Sequence, residues 1–248
     1  MIGSPSENKK PDFMNASKEI NIVYEDSNLA IVYKPEGLYS HPVKGEYSDT
    51  IISRYLRYLY EKDEYSVESS FSPALCNRLD RNTKGLIIIG KTLEATKEIN
   101  RLISEHQLTK TYHALVLGKC ELDGIYKAYW EKDEKNNIVK ISNKNDKNTY
   151  EIVTEFHTIG FKNDLSHVEA ILHTGRTHQI RAHLSFLGYP ILGDPKYGNN
   201  KANKKYNKHH QQLISYSITF NDQCSDLLAY LNNKTFTIPD DPFPDNIT

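Results

Sequence analysis

Four branched aliphatic residues in a row, Leu86–Ile89, constrain this chain more than any other stretch. A run without polar alternation has no side to offer water, so it predicts a strand buried on both faces of a sheet. A Thr-Lys-Gly turn signal precedes it, and before that Asp80 stands between Arg78 and Arg81. The turn and the run pin this loop to the sheet and hold Asp80 in fixed geometry. Guanidiniums near a carboxylate favour its ionised form. An ionised carboxylate can attack carbon or stabilise a cationic sugar centre. Taken alone, Arg78-Leu79-Asp80-Arg81 reads more readily as a turn aspartate among solvated arginines, so the rest of the chain decides.

Strand patterns outnumber helical ones. Residues 20–37 read as two short strands around a Glu-Asp-Ser-Asn turn, the second ended by Pro35, which cannot donate to a ladder. Ser48 or Asp49 is expected to cap a helix whose apolar face is Ile52, Tyr55, Leu56 and Leu59. Thr92 is expected to cap a second helix, with Ala95, Ile99, Leu102, Ile103 and His106 on one face. Residues 111–118 alternate as a strand, with Tyr112, Ala114 and Val116 on one face and His113, Leu115 and Leu117 on the other. Further strands are expected over 149–156, 167–174, 213–220 and 235–239. Thr177 is expected to cap a helix with Ile180, Leu184 and Leu187 inward, closed by Gly188. Residues 131–148 read as a charged loop and 199–208 as a mobile basic loop. The expected class is α+β with a mixed, largely antiparallel sheet flanked by helices. Residues 1–19 are expected to be a disordered tail, 20–240 a single domain and 241–248 an acidic tail.

The net charge of −1 excludes a polycation, so a nucleic-acid partner would need a local basic face. Residues 160–210 offer one, with eight Lys/Arg against three Asp/Glu. Uneven charge on a solvated surface reads the same way. The three cysteines are scattered, which argues against a disulfide framework or zinc site and for a reducing compartment. No run of 18 apolar residues is present and residues 1–19 lack the apolar core of a signal peptide, so no membrane association and a cytoplasmic location are expected. His173, His178 and His183 tempt a metal reading. Their five-residue spacing turns successive side chains about 140° apart on a helix, which disfavours it.

The stretch 77–92, NRLDRNTKGLIIIGKT, closely resembles the HRLDxxTSGLLLxAKT signature of the RluA-type pseudouridine synthases. Stretches 24–42, 110–119 and 172–198 (LHTGRTHQIRAHLSFLGYPILGDPKYG) match the same family in the same order. The resemblance runs from about residue 21 to about 220. It implies the pseudouridine-synthase fold, with its active site in a cleft across the sheet. It also implies isomerisation of uridines in ribosomal or transfer RNA, without redox chemistry, cofactor or metal. By resemblance, Asp80 matches the catalytic aspartate, Tyr112 the active-site tyrosine, and Arg181 the arginine that pairs with the aspartate. Arg176 is a candidate contact to phosphate or base. Lys34 belongs to the family's KPxG motif, bracing the cleft or meeting substrate. Arg78 is placed either to contact RNA or to form a plain salt bridge. Members often carry an RNA-binding domain of the S4 type ahead of the catalytic domain, and the matched pattern here leaves no room for one. A monomer is the expectation. The chain departs from the pattern at Asn77, where the family has His, at Lys84, where it has Ser, and at Leu213-Ile214-Ser215, where it has Leu-His-Ala.

Overall fold

The computed structural model describes residues 11–45, 48–239 and 242–243. Its strands are β1 (Asn21–Glu25), β2 (Leu29–Lys34), β3 (Ala74–Leu75), β4 (Lys84–Gly90), β5 (Leu108–Leu117), β6 (Asp123–Asp133), β7 (Ile138–Ser142), β8 (Tyr150–Lys162), β9 (Leu165–Leu172), β10 (Leu213–Phe220) and β11 (Thr235–Thr237). The α-helices are α1 (Ile51–Glu61), α2 (Leu93–Ser104), α3 (Gln179–Phe186) and α4 (Asn200–Lys205). The strands form one sheet in the order β1-β2-β4-β10-β5-β9-β8-β6-β7, with β3 on β4 and β11 on β10. Among the described residues the β4–β10 pair is parallel and the other strand pairs are antiparallel, so the expected α+β class with a mixed, largely antiparallel sheet is the observed one.

The aliphatic run lies in β4 and divides its side chains between two cores. Ile87 and Ile89 join Tyr55, Leu59, Ile180 and Leu184 on the α1 and α3 side. Leu86 and Ile88 join Ala95, Ile99 and Leu102 of α2 on the other. All four are fully buried, each stabilising the fold by roughly 1.5–3 kcal/mol. β5 divides as its alternation predicts, Tyr112, Ala114 and Val116 facing the first core and Leu115 and Leu117 the second. Where β4 meets β10, Gly85 has φ +118, and a Cβ there would lie 2.2 Å from the Ser215 carbonyl oxygen. Only glycine permits that approach.

Several local expectations need correction. Residues 11–19 are not a tail: a 3-10 turn at Asp12–Asn15 packs on α1, Arg57 Nη1 donates to the carbonyls of Met14 and Ala16, and Ala16 is buried. Residues 1–10 lie outside those described. Of residues 241–248 only 242 and 243 are described, and Phe243 packs into the second core. The cap of α1 is Thr50, whose hydroxyl accepts from the Ser53 N–H; Asp49 instead takes a two-point contact from Arg54. Thr92 caps α2 as expected. Residues 131–148 contain most of a hairpin, β6–β7, whose outward lysines and glutamates hid its alternation. α3 begins from His178, not Thr177, with no side-chain cap. The basic stretch 199–208 holds α4, capped by Asn199 and fastened by buried Asn203.

Candidate active site

Asp80 sits in the loop 76–83, and nearly every residue of that loop is tied down. The Cys76 N–H donates to Ile88 O at 2.8 Å, and the Ile88 N–H donates to Asn77 Oδ1 at 2.8 Å. Ser40 Oγ donates to Leu79 O at 2.8 Å and accepts from the Leu79 N–H at 3.1 Å. The Thr83 N–H closes a turn on Asp80 O at 3.0 Å, and Gln211 Nε2 donates to Thr83 Oγ1 at 3.2 Å.

Lys34 lies under this loop, fully buried. Its ammonium donates to the carbonyls of Pro35 (3.0 Å), Leu38 (2.7 Å) and Arg81 (2.8 Å). Burial pulls its pKa down to about 7 against the attraction of Asp80 and Glu36. Three carbonyl acceptors require all three ammonium hydrogens. In this structure Lys34 braces the KPxG turn against the Asp80 loop through these three carbonyls.

The arginines beside Asp80 in sequence are not its partners. Arg81 Nε donates to Gly37 O at 3.0 Å and its guanidinium lies over the Tyr39 ring. Arg78 is exposed and, among the described residues, makes no hydrogen bond or ion pair. The cation on Asp80 is Arg181, whose Nη1 donates to Asp80 Oδ2 at 2.7 Å.

Arg181 is held in turn by Asp194. Its Nε and Nη2 donate to the two carboxylate oxygens of Asp194 at 2.6 and 3.0 Å, a bidentate fork. The N–H groups of Lys196 and Tyr197 donate to Asp194 Oδ1. Asp194 is fully buried. Burial raises its pKa, but the Arg181 contacts and the two N–H groups outweigh burial and leave it below its ordinary value. Burial also disfavours the charged Arg181, and Asp194 with Asp80 reverses that, so its pKa is raised. Asp194 is thus a second acid at the site, in the matched stretch 172–198. Both its oxygens are occupied. The Gly-Asp-Pro turn following the Arg181 helix was the signal that could have found it.

His178 and Tyr197 complete this side. The Val139 N–H donates to Tyr197 Oη at 2.9 Å, and Tyr197 Oη lies 2.8 Å from His178 Nδ1. The arrangement suits a tautomer in which the phenol donates to Nδ1 and the imidazole proton is on Nε2. That nitrogen is 3.9 Å from Asp80 Oδ2. Burial pulls the His178 pKa down to about 4, against the opposing pull of Asp80, so the ring is neutral near pH 7. His178 also has φ +54, a left-handed backbone that is strained for a residue with a Cβ.

Tyr112 faces the same core as α3 and is buried. Burial pushes its phenol up to about 12; a hydrogen bond with Ser215 opposes this and the charge of Asp80 adds to it. Ser215 is the cross-strand partner of Tyr112, so one departure from the family pattern touches the tyrosine directly. At another, Asn77 spends its oxygen on β4 while its buried Nδ2 has no partner. The structure thus joins Asp80 and Arg181, buries Tyr112 where the charge of Asp80 reaches it, puts Lys34 beneath the Asp80 loop and leaves Arg78 and Arg176 exposed. α4 carries Lys201, Lys204 and Lys205 exposed, and Asn203 fastens it to Gly193 and Asp194. Among the described residues no group of three His, Cys, Asp or Glu could hold a metal ion, and no helix is long and apolar enough to cross a membrane.

A family model described as RNA pseudouridylate synthase matches residues 28–186. A Mycoplasma genitalium protein described as an uncharacterized RNA pseudouridine synthase is 34% identical over 205 residues, which is 82% of this chain and 64% of that protein. Ribosomal large subunit pseudouridine synthase D of Zymomonas mobilis subsp. mobilis is 32% identical over 196 residues, 79% of this chain and 60% of its own length. The chain therefore spans a little under two thirds of these relatives. The solved structure of human RNA Pseudouridylate Synthase Domain Containing 1 covers 90% of this chain, and the match covers 84% of the human chain, with a TM-score of 0.69 at 20% identity, a likeness of fold. With the family model matched over more than half its length, this chain belongs to the RNA pseudouridylate synthase family.

Proposed function

We propose that this chain isomerises uridines in ribosomal or transfer RNA to pseudouridine, with Asp80 as the group that opens the glycosidic bond. The observation that carries the reading is the 2.7 Å contact between Arg181 and Asp80, across 101 residues of sequence. In the reaction the bond from ribose C1′ to uracil N1 breaks, the base turns, and C5 bonds to C1′. C5 loses a proton and N1 gains one, so nothing is oxidised or reduced and no cofactor is called for. Asp80 either adds to C1′ or removes the C2′ proton, and Arg181 aims the carboxylate. Tyr112 supplies a ring for the detached uracil and a hydroxyl which, with a pKa near 12, stays protonated at neutral pH. A paired or stacked uridine must first leave its stack, at roughly a few kcal/mol. Exposed Arg78 and Arg176, with the lysines of α4, suit RNA contact. We also infer a cytoplasmic, monomeric enzyme that uses no metal; the scattered cysteines support a reducing compartment.

The test is direct. The protein is incubated with bulk ribosomal and transfer RNA, which is then digested to nucleosides and assayed for pseudouridine and free uracil. Pseudouridine above the enzyme-free level is expected. Free uracil would make the protein a hydrolase, and RNA bound without either product would make it a binding module; both sink the reading. Mapping pseudouridines in cells lacking the protein then identifies the target.

A further inference from the structure

We propose that Arg176 and Tyr150 form a stacking platform for an unpaired RNA base on the strand that carries the target uridine, a site that deepens, and rests on, the isomerase reading above. The Arg176 guanidinium lies 4.4 Å from the Tyr150 ring centroid and 5.9 Å from that of Trp130, the chain's single tryptophan. Tyr150 is 52% exposed, so much of its ring is open to a ligand. Arg176 is exposed and, among the described residues, has no carboxylate partner. A guanidinium is planar, and one lying over an exposed tyrosine ring makes with that ring a surface on which a base can stack.

The frame beneath is rigid. Trp130 is buried with Val139, Ile152 and Ala182, and its Nε1–H donates to Thr177 O at 3.0 Å. The Arg176 N–H donates to the side chain of buried Gln179 at 3.0 Å, and Gln179 is fixed by Thr154. The platform is thus built before any ligand arrives, which reduces the entropy lost on binding.

Register places it on the catalytic side of the sheet. Tyr112 pairs with Ala170, and Ala170 with Phe156. Residues 156, 154, 152 and 150 then share one face along β8. At about 3.3 Å per residue, Tyr150 lies on the order of 20 Å along the strand from the Tyr112 level, a few nucleotides of single strand. Arg176 bridges part of that gap, standing two residues before His178, whose Nε2 is 3.9 Å from Asp80. A phosphate site would be served as well by a lysine; a plane resting on a ring favours a base.

The test uses a fluorescein-labelled oligouridylate of about 15 nucleotides and an abasic ribose–phosphate oligomer of the same length, with affinity read by anisotropy. Wild type should bind oligouridylate more tightly than the abasic oligomer. Tyr150→Ala should weaken oligouridylate binding about tenfold, the usual scale for one lost stack, and leave abasic binding unchanged. Arg176→Lys keeps the charge but loses the plane and should behave likewise. Should Tyr150→Ala melt early by circular dichroism, Arg176→Lys, in an exposed loop, carries the test. Unchanged oligouridylate affinity in Arg176→Lys, or equal losses for both oligomers, overturns the platform. Pseudouridine formation by wild type in bulk RNA is scored separately. Base-dependent binding without pseudouridine would sink the isomerase reading alone, and pseudouridine without base-dependent binding would sink the platform alone.

Discussion

The two sides of the Asp80–Arg181 contact are built differently. The Asp80 side is a loop held by many neutral hydrogen bonds, from Ser40, Asn77, Thr83 and Gln211, to which Lys34 adds one charged bond at the Arg81 carbonyl. The Arg181 side is a buried charge held by one bidentate carboxylate, Asp194. Neutral ties are redundant, and each contributes about 1 kcal/mol net. A buried ion pair has no redundancy, because removal of one partner strands the other in low dielectric. The Asp80 side should therefore degrade gradually under mutation, and the Arg181 side abruptly.

The largest expected effect lies at the junction. Asp80→Asn keeps the size and removes the charge. Pseudouridine formation should fall to background in a single-turnover assay, while the melting temperature and RNA affinity stay close to wild type. Near-normal activity in this variant would refute the site assignment. Next comes Asp194→Asn, which removes the bidentate carboxylate from buried Arg181 and leaves it only the single contact with Asp80. Breaking a buried pair costs on the order of 3–5 kcal/mol, so urea unfolding should shift by about that much. If 3 kcal/mol of it is expressed in the transition state, the rate falls about a hundredfold. Arg181→Met should give a similar loss, and neither should slow an Asp80→Asn enzyme further. A small stability change for Asp194→Asn would place the anchoring of Arg181 elsewhere.

Acid separates the two sides further. His183 sits two residues beyond Arg181 in α3, fully buried, with Nδ1 on Thr154 Oγ1 and Nε2 unpartnered. Burial pulls its pKa down to about 4. Its unfolded value is about 6.5, so between those two values the unfolded chain binds more protons and stability falls as pH falls. The loss attributable to His183 is about 2 kcal/mol at pH 5 and about 3 kcal/mol at pH 4. His178, also near 4, acts in the same direction. His183→Asn should flatten the stability profile between pH 6.5 and 4 relative to wild type. Hydrogen exchange at pH 5 should then show α3 opening before residues 76–83. Equal loosening of both segments would erase the distinction.

This contrast also explains what could be read in the chain. The doubly buried β4, the Thr92 cap and the two faces of β5 were legible because they depend on local chemistry and periodicity. The Asp80–Arg181 contact was legible only through resemblance, since it spans 101 residues. The cation on Asp80 in the folded chain is Arg181, not either of the arginines beside it in sequence. Arg78 and Arg81 are neighbours along the chain, yet a turn points them away from the carboxylate. Asp194 was counted as a surface charge, because nothing local distinguishes a buried aspartate from a solvated one. Ser48, Asp49 and Thr50 all have capping chemistry; the contacts of Asp49 with Ser17 and Arg54 leave the cap to Thr50. The β6–β7 hairpin was missed because its solvent face carries charges that read as loop.

The smallest effect is expected where the neutral ties are densest. Ser40 serves Leu79 twice, accepting from its N–H and donating to its carbonyl, and all these groups are buried. Ser40→Ala leaves both backbone groups unpartnered, so stability should drop by about 1–3 kcal/mol. The catalytic geometry should nevertheless survive. Asp80 is the next residue, and its own carbonyl still closes the turn with Thr83, while Lys34 still holds Arg81 on its far side. Displacement of Leu79 is further opposed by its burial in the first core. The rate on bulk RNA should fall less than about tenfold, a barrier change under about 1.4 kcal/mol. Ser40→Ala should thus lose stability in rough proportion to a hydrogen-bond pair and lose little rate, whereas Asp194→Asn loses both. If Ser40→Ala instead lost a hundredfold or more in rate while still folded, the Asp80 loop would be as brittle as the ion pair opposite it, and redundancy would not be what distinguishes the two sides.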